Sequence, residues 1–182
     1  VIYALNKTYA GWRAAPKGVK TEADEIKWIE GRMKYAKSHP AMLAWYLADE
    51  LAVSYVPRLA KRTAWLASVD PDHPTFAVLA EPFNAEAFMG AFDIISADPY
   101  PIGYRRQPIS ICHTYPIESR RRTYFTRPVW QVPQAFGWGW LKRRETKGQR
   151  APTQKEMANM TWQSIAGGAN GIIYYAYHHL SE

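Results

Sequence analysis

Apolar positions along the chain recur with two periods, and the two alternate. Val1-Ile-Tyr-Ala-Leu5 is a short apolar run that predicts a strand ending near Asn6, and a loop holding Pro16 and Gly18 leads from it to Thr21. Thr21-Glu-Ala-Asp24 has the spacing of a helix-capping box. Ile26, Ile29, Met33 and Ala36 then recur every three or four residues, predicting an amphipathic helix that stops before Pro40. Ala41-Met-Leu-Ala-Trp-Tyr-Leu-Ala-Asp-Glu50 is apolar almost throughout and ends on two carboxylates, which predicts a strand buried on both faces with acid at its tip. Strand, helix and strand make one βαβ unit.

The alternation continues. Ser54 is placed to cap a second helix, with Pro57 tolerated in its first turn and Val56, Leu59, Ala60 and Leu66 facing inward. Thr75-Phe-Ala-Val-Leu-Ala80 reads as a strand followed by Glu81, and a short helix over 84–92 returns to the strand Asp93-Ile-Ile-Ser-Ala97, followed by Asp98. Pro108 and Pro116 interrupt the next stretch, leaving helix expected only over 117–125. Arg127 to Gln134 reads as a strand, with Phe136, Trp138 and Trp140 just beyond it. Thr153-Gln-Lys-Glu156 is a second capping box, opening a helix that buries Met157, Met160, Thr161, Ser164 and Ile165 and ends at Gly167-Gly168. Gly171 to His178 is the last predicted strand.

Six strands separated by helical connections, with no Asn-Gly hairpin signal, predict an α/β fold with a parallel sheet and right-handed crossovers. No glycine-rich phosphate loop follows the first strand, and three successive strand ends carry acids. Both features favour the (β/α)8 TIM-barrel type over a doubly wound sheet. A full barrel takes about 250 residues, and this chain has 182. The expectation is a single partial domain over 1–182 with about six βα units.

Composition changes the picture in three places. Apolar residues make up 47% and charged residues 21%, so an unfolded chain is excluded. The net charge of +7 gathers at Arg120-Arg121-Arg122 and at Lys142-Arg143-Arg144 with Lys147 and Arg150. These clusters are either solvated faces or a polyanion-binding surface, although no nucleic-acid motif accompanies them. Aromatic residues reach 14%, with 8 Trp and 12 Tyr, whose flat apolar faces suit sugar rings as well as cores. The single Cys112 excludes an internal disulfide and a cysteine-built metal centre. No apolar run reaches the roughly 18 residues of a membrane span, and no leader pattern precedes Val1, which reads as a start inside a domain.

The chemistry sits at strand tips. Asp49 and Glu50 either stand at the mouth of a site or are first-turn acids of the next helix; Glu81 and Asp98 repeat the placement. His178-His179 point to opposite faces of a strand and His113 has no spaced partners, so neither metal nor cofactor is expected.

Taken in order, Pro40 to Glu50, Asp98-Pro-Tyr-Pro101, Arg127-Pro-Val-Trp130 leading to Gln134, and Pro152-Thr-Gln-Lys-Glu156 through Gly171-Ile-Ile-Tyr-Tyr175 resemble the later strands of clan A glycoside hydrolases. The resemblance runs over nearly the whole chain and implies a (β/α)8 barrel in which these are strands three to eight. It implies a glycosidase in which Glu50 is the proton donor, kept neutral by burial against Trp45 or Tyr46 and by the charge of Asp49. Asp49 stands where the family has a sugar-binding Asn. Gln134 stands where the family has its nucleophilic Glu, and an amide cannot serve as that nucleophile. The second carboxylate is then Asp98, Glu81 or Glu145, or else the protein binds sugar without cleaving it. A carboxyl separation of about 5 Å would mean retention, and about 6.5–9.5 Å inversion. The preferred pair is Glu50 with Asp98. Tyr100, Trp138 and Tyr177 are candidates for sugar stacking and Gln134 for a hydroxyl contact. The expected partner is a carbohydrate substrate, with neither nucleic acid nor membrane. A second copy or further chain is expected to cover the open sheet edges, and the resemblance favours a secreted or periplasmic location.

Overall fold

A computed structural model describes residues 1–103, 107–141 and 149–176. Six strands hydrogen-bond in chain order, β1 (Ile2–Ala4), β2 (Ala44–Asp49), β3 (Thr75–Leu79), β4 (Ile94–Ala97), β5 (Val129–Gln131) and β6 (Gly171–Ile172). The pairs β1·β2, β4·β5 and β5·β6 run parallel, with registers such as Tyr3↔Trp45 and Ser96↔Trp130. Parallel neighbours cannot be joined by tight hairpins, and helical connections fill the intervals. These are α1 (Glu22–Ala36), α2 (Val56–Val69), α3 (Ile111–Arg122), the short α4 (Trp138–Leu141) and α5 (Gln154–Ala166). The fold class is α/β, of partial (β/α)8 type. Contacts gather the chain into two compact units, one of residues 1–77 and 87–94, the other of residues 78–86 and 95–182.

In the first unit, Thr21 accepts from the Asp24 amide while Asp24 accepts from the Thr21 amide, so the predicted capping box opens α1. Helix α1 buries Ile29, Met33 and Ala36. Trp45 and Leu47 of β2 and Leu59 and Leu66 of α2 are wholly buried, as is Tyr9 from the β1–α1 loop. Ser54 does not cap α2: residues Val53–Tyr55 form a 3-10 turn, and Tyr55 precedes the helix with no side-chain cap. The inward face of α2 also contains Arg62, only 4% exposed.

In the second unit, α3 starts well before the expected position and runs through Pro116. The proline is buried, and the helix carries it without ending. Helix α3 packs on α5 and on β5, and Cys112, Met160 and Ile102 form a core with Ile109, Ile111 and Met157 around it. Gly167 and Gly168 end α5 beside α3, where a Cβ on Gly167 would lie 2.5 Å from the His113 carbonyl. Strand β5 is shorter than expected, and parallel pairing resumes as a single bridge between Gln134 and Tyr175. The segment over 84–92 is not an α-helix; a kinked 3-10 stretch, Pro82–Phe88, takes its place.

Candidate functional site

The first unit presents Asp49 and Glu50 at the carboxyl end of β2. Both are exposed, and Glu50 has φ 51°, a left-handed conformation that a side chain with a Cβ rarely adopts. The rings expected to bury Glu50 do otherwise. The wholly buried Trp45 donates its indole N–H to Asp70 at 2.8 Å, and Asp70 is also 3.0 Å from the Nδ1 of His73. Tyr46 leans on Phe76, with ring centroids 5.2 Å apart, and donates its hydroxyl to Asp49 at 2.6 Å. Glu50 is therefore held by its backbone in solvent, and the burial expected to keep it neutral is absent.

The same unit holds an aromatic group with no periodic signature in the sequence. Tyr9 and Trp12 come from the β1–α1 loop, and Tyr55 from the connection that begins at Glu50. Tyr9 and Trp12 have centroids 5.4 Å apart, and Trp12 meets Tyr55 edge to face at 5.8 Å. The Trp12 indole N–H donates to the Tyr55 hydroxyl at 3.1 Å, and the Tyr9 hydroxyl donates to the Leu47 carbonyl of β2 at 2.8 Å. Behind Tyr9 sits a buried ionic hub. Glu25 of α1 accepts from Arg58 and Arg62 of α2 and from the Ala10 amide, and Arg62 also donates to Thr8 at 2.9 Å. The Arg62 guanidinium lies 3.8 Å from the centre of the Tyr9 ring. Burial, helped by the Glu25 charge and opposed by the two arginines, pushes the Tyr9 phenol up to about 12. The Tyr-x-x-Trp spacing in the loop after the first strand was the available signal for this group.

The second unit gathers the other candidates. Glu81 is exposed just past the end of β3. Asp98 follows β4 and is only 7% exposed. Two residues on, Tyr100 enters an aromatic cluster: its centroid is 5.0 Å from Phe136, 6.1 Å from Trp138 and 6.1 Å from Tyr175. Phe136 is wholly buried at the centre, and Tyr175 remains 41% exposed. Tyr100 and Trp138 are thus brought together, and Tyr175 joins them unforeseen, because a continuous Ile-Ile-Tyr-Tyr run hides which tyrosine faces the cluster.

Gln134 differs from its expected role. It is wholly buried, its Oε1 accepts from the Ile102 amide at 2.9 Å, and its Nε2 donates to the carbonyls of Ile102 and Phe136 at 2.8 and 2.9 Å. Both of its donors are thereby committed. A sugar hydroxyl would find only the second lone pair of Oε1, and the residue braces the turns that carry Tyr100 and Phe136.

Tyr177, Glu145, the histidine pair and the Lys142 to Lys147 cluster lie outside the described residues. Of the α3 arginines, Arg121 and Arg122 share Glu118 at 2.9 and 3.4 Å, Arg122 lies 3.8 Å from Glu86, and Arg120 stacks at 5.3 Å over Phe125. That face is partly neutralised. Cys112 is buried, which pushes its thiol up to about 12 and makes it a core residue, not a nucleophile. Among the described residues no three metal-ligating side chains converge, and no helix is long and apolar enough to cross a membrane.

The fold is glycosidase-like: solved structures that superpose on it include glycoside hydrolases. They include a family 2 β-galacturonidase from Eisenbergiella tayi bound to galacturonate, with 14% identity, TM-score 0.60, and 85% of this chain matched to 29% of that one. A β-glucuronidase from an uncultured Clostridium superposes with 12% identity and TM-score 0.57, over 89% of this chain and 31% of its own. A family 5 mannosidase from Rhizomucor miehei gives 11% identity and TM-score 0.57, over 94% and 53%. The chain therefore spans about a third to a half of the length of these neighbours. No protein-family model matches the chain, and no curated protein sequence matches it.

Proposed function

We propose that the chain is part of a glycoside hydrolase of the clan A kind, cleaving O-glycosidic bonds by carboxylate acid/base catalysis. Glu50, at the tip of β2, is the proton donor. The observation that carries this reading is the backbone of Glu50. A left-handed, non-glycine residue costs on the order of 1–3 kcal/mol, and such strain gathers at functional sites because it aims a side chain. Here the strained residue is a carboxylate just past the end of a parallel strand, the end at which barrels of this type hold their reacting groups.

The chemistry follows from the leaving group. A glycosidic oxygen leaves as an alkoxide unless it is protonated, so a donor at Glu50 would be worth about 10²–10⁴ in rate. Nitrophenyl glycosides, whose leaving group is already a weak base, need that proton less. The Glu50→Gln variant should therefore lose about 10²–10⁴ in kcat on oligosaccharides and much less on nitrophenyl glycosides. Undiminished turnover of oligosaccharides by this variant, with unchanged circular dichroism, would remove Glu50 from the role. A second reading, sugar binding without cleavage, is favoured by Gln134 at the seventh-strand position. It predicts measurable sugar affinity with no hydrolysis by the unaltered chain.

A further inference from the structure

We infer that Trp12 and Tyr55, with Arg13 next to Trp12 in the chain, form a binding platform for a carboxylate-bearing glycan in the unit that holds Glu50. This rests on the carbohydrate-active reading above and names its substrate class.

The first argument is charge. From Leu5 to Lys20 the β1–α1 loop holds Lys7, Arg13, Lys17 and Lys20 and no carboxylate. All four are exposed, and among the described residues none of Lys7, Arg13 and Lys17 has an acidic side chain within ion-pair reach. The arginines of the same unit that serve the fold behave differently, since Arg58 and Arg62 both converge on Glu25. Uncompensated cations on the loop that leaves the carboxyl end of β1 raise the local concentration of anionic ligands.

The second argument is shape and support. Trp12 and Tyr55 are half-buried, and their rings stand at 83° to each other. The indole N–H is already used on the Tyr55 hydroxyl, so what Trp12 offers a ligand is an apolar face, the surface that the C–H side of a pyranose covers. The Trp12 amide donates to the Tyr9 carbonyl and the Trp12 carbonyl accepts from Ala15, both at about 3 Å. Tyr9 in turn is pinned to β2 through Leu47 and to α1 and α2 through the Arg62–Glu25 hub. A platform held this way loses little freedom on binding, which is how affinity is gained without large area. Arg13 follows Trp12 directly, and its planar fork matches a carboxylate in two parallel hydrogen bonds. Glu50 and Tyr55 are the two ends of one short connection, so the ligand platform and the proposed acid share a backbone segment.

Calorimetric titration of the full chain with tri-galacturonate and with neutral mannotriose tests this. At low salt the acidic sugar should bind about tenfold tighter than the neutral one, and the difference should shrink as salt rises. Arg13→Gln, at an exposed position, should lose most of that preference while leaving mannotriose affinity unchanged. Trp12→Ala should weaken both sugars about three- to tenfold while keeping the acidic-over-neutral ratio, and should lower the melting temperature because the ring packs on Tyr9 and Tyr55. Should that variant fail to fold, Trp12→Phe, which keeps a ring, and Arg13→Gln decide the matter. Equal affinity for the two sugars, or wild-type affinity and preference in both variants, would overturn the platform. If hydrolysis still depends on Glu50 in that event, the hydrolase reading survives alone. Failure of every sugar to bind and of every glycoside to be cleaved would remove both.

Discussion

Arg62 illustrates how one residue decides the character of its surroundings. Its position on α2 belongs to the helix's inward face, where an apolar residue is the ordinary choice, yet it is an arginine with 4% exposure. The cation is tolerated because Glu25 meets it, Thr8 accepts from it and the Tyr9 ring covers it. Glu25→Gln should cost about 3–5 kcal/mol in urea unfolding, because it leaves a buried cation without its counterion. Replacing Glu25 and Arg62 together by Met should recover part of that loss, since their desolvation disappears with them, while Arg58 and the Ala10 amide still lose their acceptor. A double variant no more stable than the single one would contradict this account. Tyr9 gives a second expectation. Its folded pKa of about 12 lies above the usual 10.0, so the contribution is complete below pH 10 and is lost as pH rises through 12. Two units correspond to on the order of 2–3 kcal/mol. The urea midpoint should fall between these pH values, and the fall should be smaller in Tyr9→Phe.

Elements were legible where local chemistry specifies them. Thr21-x-x-Asp24 and Thr153-x-x-Glu156 each announce a helix start, and both boxes form with reciprocal hydrogen bonds. In the second box Arg150 adds two bonds to Glu156, at 2.7 and 2.6 Å, and holds its carboxyl down at about 2. Thr153→Ala should cost about 1 kcal/mol and loosen the start of α5, visible as faster amide exchange there. The Glu156 contribution is present above the ordinary carboxylate range and fades as pH falls toward 2; solvent screening keeps it small. Elements were illegible where tertiary packing overrides the local signal. Helix α3 carries Pro116 because its buried face, Cys112, Tyr115, Pro116 and Ser119, is held against neighbours. It ends through Tyr124 and Phe125 at φ 52° and 58°, where the Phe125 amide returns to the Arg120 carbonyl at 2.8 Å. Glycine usually marks such an ending, and none stands there.

At the level of the whole molecule the alternation of apolar runs with capped helices was enough to foresee an α/β protein with parallel strands in chain order. The strand tips were legible too, because a carboxylate ending an apolar run is a sharp change of chemistry. What could not be read was what surrounds each tip. Glu50 was expected against Trp45, but side chains alternate along a strand and Trp45 turns to Asp70. Gln134 was read as a ligand for a hydroxyl because of the residue it replaces, whereas three backbone atoms claim its amide. The aromatic groups around Tyr9 and Phe136 come from loops, where no period orders the residues and only the fold brings them together.

The strictly sequential strand order has a consequence for biosynthesis. From β2 onward each strand finds a neighbour in the segment made just before it, so none must wait for a distant piece still inside the ribosome. The nascent polypeptide can grow its sheet one increment at a time, with each helix sealing an apolar strand soon after it emerges.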